Sequence, residues 1–149
     1  MSDTLTSLAS AIEDAIAQTF SEMAFVDAIP AEAPGSVEES QVFTIQIDGE
    51  ASYRVVLRLS LASKKSIVEN IHGKPWGELH SVEIDDCLLE FLNVLGGAFG
   101  KALWGDDSRY KLSFPAVEIG IPEDARSESA EEYWFDAEGA IFSVVIAPV

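Results

Sequence analysis

The apolar patterning of this chain predicts an α+β fold, a largely antiparallel sheet with helices packed on one side. Three observations carry that expectation. Strand-like alternation comes in two hairpin-like pairs plus one isolated stretch, and three other segments repeat their apolar residues every three or four positions. The strands come in runs, without the strict strand-helix-strand alternation that a parallel sheet needs.

In chain order, Leu5, Leu8, Ile12, Ile16, Phe20 and Met23 predict a helix over residues 3–24 with one buried face. Residues 26–41, with Pro30, Pro34 and Gly35 among acids and serines, read as a loop. Val42 to Ile47 alternates, Asp48-Gly49 suits a tight reversal, and Tyr53 to Leu61 alternates again with Arg54 and Arg58 on the solvent side. Ser63 is placed to cap a short helix carrying Ile67, Val68 and Ile71, which Gly73 and Pro75 end. After a connection with Trp76 and Gly77, a long helix is expected from about Asp85 to Leu103, with Asp85 or Asp86 at its amino end. Lys111 to Ile119 reads as a strand in which Pro115 must sit at an edge or bulge. Residues 122–132 form an acidic, serine-rich loop, and Tyr133–Phe135 with Ala140–Ala147 close the chain as a hairpin.

At 149 residues and 48% apolar content the chain is expected to be a single domain over residues 1–149 that buries a core without staples. Its formal charge of −17, from 26 acidic and 9 basic residues, argues against nucleic acid or an anionic membrane as partner, since both would be repelled at close range. Cys87 is the one cysteine, so a disulfide framework or thiolate metal cluster cannot form within the chain, and a reducing compartment fits. The opening Met1-Ser2-Asp3-Thr4 lacks a basic region, and no stretch looks long enough to span a bilayer; a soluble, cytoplasmic protein is expected.

The long helix carries the chemistry. At about 100° per residue, Leu88, Phe91, Leu92, Leu95, Phe99, Ala102 and Leu103 share one arc that faces the core. Opposite it, Asp86, Glu90, Asn93, Gly97 and Lys101 line up at steps of three and four, so Glu90 and Asn93 are neighbours on an exposed ridge. Gly96, Gly97 and Gly100 inside the helix each cost about 1 kcal/mol relative to alanine. Close packing within the chain or approach of a partner's backbone could compensate. Cys87, beside the apolar arc and without a nearby histidine, reads as a small buried residue. Trp76, Trp104 and Trp134 are scattered and read as core or interface bulk; His72 ends a helix, and His80 has no identifiable partner.

Asp86-Cys87-Leu88-Leu89-Glu90-Phe91-Leu92-Asn93 resembles the Asp/Ser-x3-Glu-x2-Asn signature of the CheC, CheX and FliY phosphatases, and the flanking text is most similar to CheX. Val94-Leu95-Gly96-Gly97-Ala98 resembles that family's segment after the asparagine. Leu112 to Gly120 resembles its strand with a proline and a closing glycine, and the end of the Ile67–Gly73 helix and the final hairpin around Gly139 resemble their counterparts. Two departures are visible: Ala98 stands where the family usually has asparagine, and Pro115 arrives about one residue early.

The resemblance implies a CheC/CheX-like fold and an enzyme that speeds loss of the aspartyl phosphate from a phosphorylated CheY-like response regulator in chemotaxis signalling. It assigns Asn93 to orient the attacking water and Glu90 to pair with the receiver's lysine, both counted as catalytic. Asp86 and Gly97 would contact the partner. It implies no cofactor or metal ligand set in this chain, because the Mg2+ belongs to the receiver. The amide of asparagine suits the task, accepting from a water and donating elsewhere without adding charge beside a phosphoryl group. A different class of reading is a non-catalytic binding module that docks a receiver or another signalling partner, which Ala98 and the early Pro115 favour; a third is a structural domain without a receiver. A homodimer is also expected, because the Ile141, Val144 and Ile146 run would leave an apolar strand edge to cover.

Overall fold

A computed structural model describes residues 2–34, 40–105, 109–118 and 123–149. The first helix, α1 (Ser2–Met23), turns Leu8, Ala11, Ile12, Ala15, Ile16 and Phe20 to one side, where all are buried. Phe25 (φ 57°) ends it in the left-handed region, and the amides of Ala24 and Val26 return to the Phe20 carbonyl. The stretch expected to be all loop then contributes a short strand, β1 (Ala28–Pro30), which a three-residue length and a terminal proline hide from pattern analysis.

The first hairpin pairs β2 (Ser40–Asp48) with β3 (Ser52–Ser60) in the expected alternation. Phe43, Ile45, Ile47, Val55, Leu57 and Leu59 face the main core. Its turn differs from the expected one. Gly49 sits in a three-residue loop because a Cβ there would lie 2.6 Å from the Trp104 ring, so the glycine serves close approach rather than a left-handed φ. Helix α2 (Leu61–His72) is capped three residues before Ser63, by Ser60: the Ser60 hydroxyl accepts from the Ser63 amide, and Ser63 instead donates to the Ile141 carbonyl. Gly73 (φ 68°) closes it as expected. A 3-10 turn (Trp76–Glu78) leads to α3 (Ser81–Trp104).

The expected strand over residues 111–119 is two strands, β4 (Lys111–Leu112) and β5 (Ala116–Glu118), broken at Pro115 and both antiparallel to the outer side of β2; Ile119 lies outside the described residues. The loop expected over 122–132 contains a 3-10 turn (Glu123–Arg126) and the start of β6 (Glu131–Ala137). A two-residue turn with positive φ at Glu138 and Gly139 joins β6 to β7 (Ala140–Pro148), the geometry that matches strand twist.

Across the sheet the strands run β1-β6-β7-β3-β2-β4, with β5 beside β2, and every pairing is antiparallel. α1 and α3 pack against each other on one face, over a core where Phe20 meets Phe91 edge-on at 5.0 Å and stacks on Phe142 at 5.2 Å. The other face holds a smaller cluster of Val42, Val56, Val145 and Ala147 under Ala125. There Arg58, expected in solvent, is half-buried and donates to Glu132 (2.5 Å), which also accepts from Ser143.

Because β7 is paired to β6 and β3 along its length, it is interior. The apolar edge that motivated the expected homodimer does not exist. The expectation that no segment reaches bilayer length also needs correction: α3, at 24 residues, is long and apolar enough by length and composition, and its apolar face is taken up by the core.

Candidate functional site

Core packing sets the rotation of α3. Ile84, Cys87, Leu88, Phe91, Leu92, Leu95 and Phe99 are buried, and Phe91 is locked against Phe20. Ala102 leaves the expected arc and is exposed, whereas Leu103 is half-buried and packed against the margin of the core. With that face fixed, Asp86, Glu90, Asn93 and Lys101 are exposed and Gly97 is half-buried between them. The ridge is present as expected, and Glu90 and Asn93 lie three residues apart on it, one turn of helix.

The amino end of α3 differs from expectation. His80 is the residue before the first turn, and its amide donates to the Glu83 carboxylate (3.2 Å), so Glu83 supplies the negative charge where the free amides point. Asp85 and Asp86 lie inside the helix and cap nothing; Asp85 faces Lys64 of α2 at 3.9 Å, and Asp86 is exposed at the start of the ridge.

The three glycines separate into two kinds. A Cβ on Gly96 would press on Ile45 and Leu112 at 3.3 Å, and one on Gly100 would meet the Tyr110 ring at 2.7 Å, so both admit neighbours within the chain. At Gly97, among the described residues, nothing lies within 4 Å of where a Cβ would be. The Tyr110 hydroxyl donates to the Gly97 carbonyl (2.7 Å), which braces this stretch of backbone from the side. Packing therefore accounts for two of the glycines and leaves Gly97, one turn beyond Asn93, as open space on the ridge. Ala98 is packed against the core and points away from it.

The remaining candidates fall elsewhere. Burial pushes the Cys87 thiol up to about 11, which keeps it protonated and unreactive near neutral pH. Trp104 stacks near Tyr53 and Tyr110 in the core margin. Among the described residues, no group of three or more histidine, cysteine, aspartate or glutamate side chains is arranged to hold a metal. A cleft of about 480 Å³ lined by Arg58, Ser60, Ser66, Trp134 and Ser143 shares no residue with the ridge. Sequence reasoning missed Tyr110; its signal was the hole at Gly100, whose filler lies ten residues on in no periodic relation. It also missed Phe114, which stands 95% exposed between β4 and β5.

No protein-family model and no curated protein sequence matches this chain. Solved structures do. A CheX chemotaxis protein from Desulfovibrio desulfuricans superposes with a TM-score of 0.77 at 16% identity, covering 95% of this chain and 99% of that one. A CheC-like superfamily protein from Shewanella sp. PV-4 gives 0.76 at 14% identity, covering 96% and 97%. CheX from Borrelia burgdorferi, solved as a CheX-CheY-BeF3-Mg2+ complex, gives 0.68 at 16% identity, covering 93% and 96%. Over nearly its whole length, then, this chain has the α+β fold of the CheX and CheC-like chemotaxis proteins.

Proposed function

We propose that this protein accelerates hydrolysis of the aspartyl phosphate on a CheY-like receiver domain. One observation carries the reading: Glu90 and Asn93 stand exposed one turn apart on a helix whose rotation the core fixes, and the backbone at Gly97 beside them is open to approach. A solved complex of a similarly folded CheX with CheY supports the choice of partner.

Hydrolysis needs a water in line with the leaving carboxylate oxygen, and a rigid helix can present a side chain there without a loop having to close. Asn93 accepts a hydrogen bond from the water through its amide oxygen and orients it. Glu90 accepts from the receiver's lysine ammonium and sets where the helix lands, a charge-assisted pairing that also offers register. Asp86 extends the same contact toward the amino end of α3. The magnesium ion that neutralises the phosphoryl oxygens belongs to the receiver, so this chain supplies position rather than a Lewis acid.

The test is to mix the protein with an acyl-phosphorylated receiver and follow phosphate release. Asn93→Ala is expected to lower the rate at saturating protein by about 30-fold to 1,000-fold, or about 2–4 kcal/mol of transition-state stabilisation, as when one positioned polar group leaves an active site. Stability should move by no more than about 0.5 kcal/mol, as for an ordinary surface substitution. An unchanged rate removes the water-orienting role; a large stability loss makes Asn93 structural. The departures at Ala98 and Pro115 favour a second reading, docking without hydrolysis, for which the wild-type protein would bind the phosphorylated receiver and leave its decay rate unaltered.

A further inference from the structure

The edge of the sheet beside the ridge carries two apolar side chains that the fold leaves uncovered. Phe114 is 95% exposed and Val117 41%. β4 and β5 both contact α3: Leu112 packs at Gly96, and Tyr110, just before β4, bonds the Gly97 carbonyl. Val117 pairs with Phe43, whose side chain lies in the core under the helices, so Val117 points to the helix side of the sheet. Phe114 sits in the break between these two strands, on the same edge of the sheet, two residues after Leu112.

Its backbone is held. The Ser113 amide donates to the Gln46 carbonyl and the Gln46 amide to the Ser113 hydroxyl, both at 2.9 Å, and Pro115 fixes its own φ. A phenylalanine kept in water on a pinned backbone loses little freedom when a partner covers it, and aromatic anchors of this kind dominate interface energetics.

We propose that Phe114, with Val117, is the apolar anchor of the receiver-docking surface. The occupant follows from continuity: the patch lies on the segment that meets α3 through Tyr110 and Leu112 at Gly97 and Gly96, one turn beyond Asn93, and a body large enough to bring an aspartyl phosphate to Asn93 extends past the helix onto this edge. The division of labour suits a chain of charge −17, in which Glu90 selects an ammonium and uncharged surface supplies affinity. This anchor rests on the receiver reading above.

The experiment measures the Kd of wild-type protein, Phe114→Ser and Phe25→Asn for a CheY-like receiver from the same organism, activated with beryllium trifluoride and Mg2+. Phe25, 82% exposed beyond α1 and next to β1 at the opposite edge of the sheet, is the control, and asparagine tolerates its positive φ. Phe114→Ser is expected to weaken binding at least about tenfold, equivalent to about 1.4 kcal/mol, with Phe25→Asn matching wild type. Wild type and Phe114→Ser binding equally would overturn the anchor and leave the proposed function standing. Wild type failing to bind any receiver would overturn both. If light scattering shows Phe114→Ser abolishing self-association while receiver binding is kept, the patch belongs to a second copy of this chain and the anchor is wrong.

Discussion

Gly100 and Gly97 are the same residue, three positions apart on one helix, and the structure uses them in opposite ways. At Gly100 the missing side chain is a socket for the Tyr110 ring; at Gly97 it is a space that none of the described residues fills. The contrast extends to the two faces of α3. One is held from within by contacts with Phe20 and the rest of the core, and the other, with Asp86, Glu90, Asn93 and Lys101, is exposed. A glycine in a helix is thus not one signal but two, told apart by whether a neighbour occupies the space its Cβ would take.

The largest effect that could break this contrast lies on the core face. Phe91→Ala is expected to cost about 3–5 kcal/mol by leaving a cavity against Phe20, read as a fall in the denaturation midpoint with unchanged m-value. A loss under about 1 kcal/mol would mean that the rotation of α3 is not fixed by this contact. Next, Gly100→Ala forces the Tyr110 ring aside. The strain of overpacking, about 1–3 kcal/mol, exceeds the helix-propensity gain of about 1 kcal/mol, so net destabilisation is expected by thermal melting. Gly97→Ala should do the reverse, raising stability by up to about 1 kcal/mol, because the new methyl group meets open space. The same substitution should weaken binding of an activated receiver, since it adds bulk where backbone contact is proposed. A variant both more stable and fully competent to bind would show that Gly97 is not a contact point, and would erase the difference between the two glycines.

Much of this was legible because α3 obeys a single period. The exposed placement of Glu90 and Asn93 follows from spacing once Leu88, Phe91, Leu92 and Leu95 define the buried arc, whereas their choice as candidate site residues comes from the resemblance; the β2–β3 and β6–β7 hairpins follow from alternation. The failures share a cause, dependence on partners distant in the chain. Ser60 and Ser63 are both reasonable caps three residues apart, and the Ile141 carbonyl, which engages Ser63, settles the matter from 78 residues away. Which strand is an edge depends on neighbours, so the apolar run of β7 read as exposed although β3 and β6 enclose it. His80 lies outside the favoured set of helix-starting residues, which hid the first turn of α3. The short strand at Ala28–Pro30 exists only because β6 offers it a partner.

The rotation of α3 is transmitted through three rings, from Phe91 to Phe20 of the first helix and from there to Phe142 of β7. The last of these is synthesised some fifty residues after Asn93, and β7 also fills the middle of the sheet between β6 and β3. Closure of such distant pairings is slow and cooperative, so the helix acquires its final orientation only when the sheet is complete. A nascent or truncated chain that ends before Ala140 would carry both Glu90 and Asn93 and still lack the surface they form, which couples the appearance of the site to the end of folding rather than to the making of its residues.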